Sequence, residues 1–351
     1  MRLLAALVIV LIANSSGVCA PRSDAGKPVT GEGVIDRVLT SGSEPVFRAA
    51  GYTFRIVPAT DLRFEKGLQS LSEVGTNTWA TFQGNPDDSG TIVATKATFV
   101  RLKFPKYKPD AKAVQATTIP PGSKIDGSDG LGTDPKLYLP QDHCGPCGWF
   151  YISNRPIEQE HVRVLGQKLI PQYQRDLPDD DPAKIHFRFY VIEEIDVSPE
   201  IFCDKGLVLI PVEDFRRITN ESQLAAILAD DIAGVIQQQA VAARGITWKE
   251  AEQMAPGLLA FGGTVPAIVG SAGEMTLQHK LNREVEHQLG RMALSYLADA
   301  GFDLRQAPEI WRWLAPKRLP KDPTKLKYPE RSLYLETILK TQYKTASGGP
   351  A

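Results

Sequence analysis

The chain has 351 residues, with 40 Lys and Arg set against 41 Asp and Glu, and 42% of its residues are hydrophobic. That length allows two domains with real cores, and the balanced charge lacks the basic footprint that marks nucleic-acid binding. At the start, Arg2 precedes the short apolar run Leu3–Ile12, which is too short to span a bilayer and has the form of a secretion signal over residues 1–20. An exported protein is expected, periplasmic or associated with the cell envelope. Val18-Cys19-Ala20 offers small residues for cleavage although Pro21 follows, and Cys19 is an alternative site for a lipid anchor.

The segments Gly33–Leu39, Val46–Val57, Thr78–Gln83 and Thr91–Leu102 are rich in Val, Ile, Thr and aromatic residues and are separated by Gly, Pro and Asp clusters. This pattern predicts a small β-barrel over residues 28–103, with a turn at Asn85–Gly90. The segment resembles OB-like domains of unknown function in exported bacterial proteins. Rings such as Tyr52, Phe54, Trp79 and Phe82 can stack on bases in that fold, but the balanced charge assigns them to core packing.

Residues 104–141 hold Pro105, Pro109, Pro120, Pro121, Pro135 and Pro140 with little periodicity, which reads as a semi-extended linker between two parts that move relative to each other. The linker leads into His143-Cys144-Gly145-Pro146-Cys147. Cys144 and Cys147 have the spacing of a redox dithiol. Their flanks lack a strand-to-helix unit, so a structural disulfide is preferred, with Cys203 as another partner and a His-Cys-Cys metal clip as a third reading.

In residues 142–345, the second domain, His186–Val191 alternates as a strand with one buried face should. Leu207, Val208, Leu209 and Ile210 form another strand, and Pro211 places it at a sheet edge. Such an edge accepts a peptide through main-chain hydrogen bonds. Leu224, Leu228, Ile232 and Val235 then recur at helical spacing. Asn220 is the expected N-cap, Gln223 can reach back to it, and Glu221 suits the positive helix end. Asp230 and Gly234 share a face opposite the apolar stripe, and the adjacent Asp230 and Asp231 read as solvated. No charge occurs between Gln253 and Gly273, which suggests a flap touching the membrane over 255–273. Trp311 and Trp313 follow Pro308 on a short helix and are assigned to core packing.

Three landmarks in this order resemble metallopeptidase family forty-eight, which includes the CAAX prenyl protease and bacterial outer-membrane assembly peptidases. They are the strand within Ile201–Phe215 reading Gly206-Leu207-Val208-Leu209-Ile210-Pro211, the helix after Asn220, and the run from Leu289-Gly290 to Ala300-Gly301-Phe302-Asp303. The resemblance covers roughly residues 150–343 and implies an α+β chain: a small N-terminal OB-like β-barrel followed by a zincin-like, mainly helical peptidase-type domain with a short sheet. In that family H-E-x-x-H supplies two zinc ligands and the water-activating glutamate. Here those positions are Asp230-Asp231-Ile232-Ala233-Gly234. Val285, Glu286 and His287 fall where Glu-Ala-Asp supplies the third ligand, and Tyr328-Pro329 replaces a His-Pro element. Asp230, Asp231, Gly234, Val285, His287 and Tyr328 are therefore vestigial positions, with zinc lost and no metal or cofactor expected. A different oxygen-rich site built from Asp230, Asp231, Glu284, Glu286 and His287 would suit magnesium, calcium or manganese.

The leading expectation is an inactive peptidase homologue that binds peptides or envelope proteins in the former active-site cleft. The alternatives are an active metalloendopeptidase with unconventional ligands and a thiol-disulfide protein using Cys144 and Cys147.

Overall fold

The computed structural model describes residues 28–104, 136–139, 148–193, 201–203, 206–218, 220–245, 272–314 and 328–343. The expected signal segment with Cys19, most of the expected linker, the Cys144–Cys147 motif and the 255–273 segment lie outside the described residues. The protein is mixed α and β, with an N-terminal sheet and a mainly helical remainder.

Six strands build the first sheet: β1 (Val29–Thr40), β2 (Val46–Ala49), β3 (Tyr52–Arg55), β4 (Asp61–Glu65), β5 (Thr78–Pro86) and β6 (Ile92–Arg101). They pair in the order β3-β2-β1-β5-β6-β4, and β3 also meets β6 in parallel at Phe54↔Ile92 and Arg55↔Val93. The sheet therefore curls until strands from its two ends touch the same partner. Inside the curl Phe54 stacks on Phe82 with centroids 4.3 Å apart, and Phe47 and Phe99 complete an aromatic core. Phe54, Trp79 and Phe82 are thus buried, as core packing requires. The Asn85–Gly90 turn is held by Asp87, whose carboxylate accepts the Ser89 and Thr91 amide N–H groups at 2.9 and 3.1 Å.

The helical part adds β7 (Lys136–Leu139), β8 (Gly148–Tyr151), α1 (Pro156–Leu169), α2 (Gln172–Asp176), β9 (Arg188–Ile192), β10 (Ile201–Cys203), β11 (Leu207–Pro211), α3 (Val212–Arg217) and α4 (Glu221–Arg244). It continues with α5 (Ala272–Ala300), α6 (Gln306–Leu314) and α7 (Tyr328–Gln342). β7 and β8 pair antiparallel, so the flanks of the Cys144–Cys147 motif, one of them assigned to the linker, are strands.

The predicted edge strand is corrected by the second sheet, whose order is β10-β11-β9. β11 is its central strand, antiparallel to β10 and parallel to β9. Leu207, Val208, Leu209 and Ile210 are all fully buried, so no peptide can add there. Pro211 misled because it ends the strand, where a missing N–H removes little from the ladder. The unbroken Leu-Val-Leu-Ile run was the better signal, since a strand covered on both faces is apolar at every position. On the far side of β9, Gln159 clasps one residue of the edge: its side chain donates to the Val191 carbonyl at 2.8 Å and accepts the Val191 N–H at 3.0 Å.

The two parts are docked, contrary to the expectation of relative motion. Val34, Trp79, Val100 and Leu102 of the first sheet belong to one continuous core with α1, α4, α5, α6 and α7. Polar contacts reinforce it along one face of α5: Gln288 donates to the Glu32 carbonyl at 2.9 Å, and Arg291 to the Ala50 carbonyl at 3.2 Å with its guanidinium 4.3 Å from the Tyr52 ring centroid. The turn between β2 and β3 comes so near α5 that a Cβ on Gly51 would lie 2.4 Å from the Arg291 backbone, and Gly51 has φ +72°. Gly51→Ala is therefore expected to cost about 2 kcal/mol or more through backbone strain and overpacking. Urea denaturation measures the loss, and an unchanged midpoint would contradict this docking.

Candidate functional site

The helix that carries Asp230 lies at the centre of the fold. α4 begins at Asn220, whose side chain accepts the Ser222 N–H at 2.8 Å, and ends at Gly245 in the left-handed region. Gln223 does not complete a capping box; its amide donates to Gln306 at 3.1 Å and ties α4 to α6. Every residue from Leu224 to Gln237 is buried, so the helix is covered all round rather than on one stripe. Asp230 and Asp231 are 3% and 0% exposed. The reading of these carboxylates as solvated is corrected, and their burial raises a physical demand, because a buried charge must be paired.

For Asp230 the partner comes from α7. Arg331, 1% exposed, donates through Nη2 to Asp230 Oδ1 and through Nη1 to Glu286 Oε2 on α5, the latter at 3.1 Å. Its guanidinium lies 3.8 Å from the centroid of the Trp311 ring on α6, and Trp311 in turn packs on Tyr328 at 5.5 Å. The planar fork suits this place because it can serve two carboxylates at once and stack by its face. One turn along, a Cβ on Gly290 would lie 2.9 Å from Leu335. The missing side chain lets α7 approach α5 closely enough for Arg331 to reach Glu286.

The remaining sequence-predicted positions separate. Val285 joins the apolar core, Gly234 is buried in α4, and the His287 ring stacks on Tyr334 at 3.7 Å and 10°. Tyr334 also accepts a hydrogen bond from Arg291, which connects this neighbourhood to the sheet-docking face. Of these sequence-predicted positions, Asp230 is the one seen to pair with Arg331.

These residues do not fit the zinc that the family resemblance implies. Asp230 and Glu286 both face a guanidinium, position 234 offers no side-chain donor, and position 285 is a valine. Among the described residues no group of three or more His, Cys, Asp or Glu is placed to hold a metal ion. The different oxygen-rich site meets the same objection, since a cation in reach of Asp230 and Glu286 would have to displace Arg331.

Sequence reasoning missed Arg331. A lone arginine in Pro329-Glu330-Arg331-Ser332 looks like solvated helix surface. The available signal was a debt of charge: two aspartates inside an apolar helix call for a cation from elsewhere in the chain. Trp311 was assigned to the core correctly, but its stacking on a guanidinium carries no sequence signature.

No family model matches the chain. It is 24% identical over 176 residues to a Vibrio cholerae serotype O1 protein provisionally named beta-barrel assembly-enhancing protease. The match spans 47% of this chain and 34% of that relative, about a third of the relative's length.

Replacing Arg331 with alanine leaves Asp230 and Glu286 buried without their shared cation, a change that costs roughly 3–5 kcal/mol. Glu286→Gln is expected to cost less, since the Glu286 side chain is 15% exposed against 4% for Asp230. Urea melts of the two variants check the order, and equal losses would contradict it.

Proposed function

We propose that this chain is a peptidase-like protein of the bacterial cell envelope that binds peptides or envelope proteins and does not hydrolyse them. The reading is supported by one observation above the rest: Arg331 stands between Asp230 and Glu286, the position a catalytic cation would need. A guanidinium neutralises carboxylates as a metal does, yet it has no open coordination position with which to polarise water. The likeness to a beta-barrel assembly-enhancing protease supports a peptidase ancestry, and the segment 1–20 supports export.

In this reading the second part is a zincin-like scaffold and the curled N-terminal sheet an OB-like barrel, with zinc absent from the working protein. The partner is taken at the surface around the filled position, because Asp230 and Arg331 are 3% and 1% exposed and a peptide does not reach them. Among the described residues no helix is long and apolar enough to cross a membrane.

Casein incubated with the full-length protein, with and without a chelator, tests the proposal together with zinc analysis of the purified chain. The expected result is no chelator-sensitive cleavage and no stoichiometric zinc. Chelator-sensitive proteolysis that is lost on Asp230→Ala would overturn it.

A further inference from the structure

The first sheet leaves an edge open at β4. On the side where β4 lies, β6 is shared: its Ile92 and Val93 meet β3, and its residues 96–100 meet β4 in a parallel ladder without a register shift. β4 is the last strand in the order, so its outer side carries no neighbour. Among the described residues, the bond from the Leu68 N–H to the Glu65 carbonyl at 3.3 Å is the single main-chain contact of this strand outside that ladder. An open edge presents N–H and C=O groups that can template another extended chain.

The side chains along β4 alternate. Leu62 and Phe64 are half-buried and pack against the aromatic core, Phe64 with its ring centroid 5.9 Å from that of Phe99. Asp61, Arg63 and Glu65 are exposed on the other face, and none of the three forms an ion pair among the described residues. They differ in this from Arg37, Arg48, Arg55 and Arg101 of the same sheet, each of which meets a carboxylate. Lys96 stands opposite Asp61 in the ladder without pairing with it, and Thr98 and Val100 stand opposite Arg63 and Glu65. Lys66, just past the strand, turns away and donates to the Arg244 carbonyl. The edge is therefore a row of negative, positive and negative charge, about 7 Å from one to the next.

Charge on an edge strand ordinarily keeps sheets apart, and this row does so for a second copy of the chain. In full antiparallel register Asp61 would face a second Glu65, and Arg63 a second Arg63. Like charges directly opposite destabilise a strand pair. A strand with the reverse pattern meets the opposite condition: a favourable cross-strand charge pair at each exposed position, and apolar residues over Leu62 and Phe64.

We propose that the outer edge of β4 binds an extended segment of a partner protein with the pattern basic, apolar, acidic, apolar, basic. The segment adds antiparallel to β4 through main-chain hydrogen bonds, its central acid opposite Arg63 and its two basic residues opposite Asp61 and Glu65. Main-chain bonds supply the attraction, and the charge row selects the partner while rejecting a second copy. This edge lies in the first sheet, apart from the Asp230 position, and needs nothing from it.

Amide chemical-shift mapping of the full-length protein with acetyl-Lys-Val-Glu-Val-Lys-amide tests the assignment, with the inverted peptide acetyl-Glu-Val-Lys-Val-Glu-amide as its counterpart. The first is expected to shift the amides of β4 and β6 at millimolar concentration, and the inverted peptide to bind about tenfold more weakly. Methylation of the peptide's main-chain nitrogens is expected to abolish binding, because it removes the donors a strand needs. The triple variant Asp61→Lys, Arg63→Glu, Glu65→Lys replaces exposed side chains without ion-pair partners, so it is expected to keep its melting temperature and to prefer the inverted peptide. Comparisons on the unaltered protein stand even if that variant does not fold. Equal binding of the two peptides, binding that survives methylation, a preference that the folded triple variant does not invert, shifts confined to other elements, or no binding at millimolar concentration would each overturn the proposal. The casein and zinc measurements do not bear on this edge, so either reading can fail alone.

Discussion

A carboxylate buried on an apolar helix needs a cation, and in this chain the cation is Arg331. Asp230 comes from α4, Glu286 from α5 and Arg331 from α7, while Trp311 from α6 covers the guanidinium face. The network therefore forms only when four helices are in place. Pairs of this kind add little net stability, because desolvation offsets the attraction, yet losing one partner leaves the other charge stranded. The arrangement ties the helices into one geometry.

The same helices carry the contact with the first sheet. α5 presents Glu286 to Arg331 on one side, and through Gln288, Arg291 and Asp299 it holds β1, β2 and the turn between β2 and β3. Tyr334 of α7 meets both His287 and Arg291. A disturbance at the buried ion pair can thus reach the sheet through packed side chains.

Periodicity made several elements legible in advance. The β-rich segment, the capped helix after Asn220 and the aromatic core all follow from local pattern. The capping interaction of Asn220 was correct, whereas the reach of Gln223 was redirected by a tertiary contact with Gln306. The Pro211 inference failed because a proline at the last strand position says little about what lies beside the strand. The solvated reading of Asp230 and Asp231 failed because helical spacing identifies a polar face without showing whether other helices cover it.

By itself the sequence determined which side chains stand at positions 234 and 285, since those of Gly234 and Val285 can donate nothing to a cation whatever surrounds them. It also made the β-rich N-terminal segment, the strand within His186–Val191 and the helix after Asn220 legible, because those depend on residues a few places apart. Only the tertiary structure decided that β11 is central, that the sheet is docked, and that Arg331 answers Asp230 across 101 residues of chain. Each of these depends on burial and charge compensation between distant segments, and a desolvated charge has no local signature until its partner is in place.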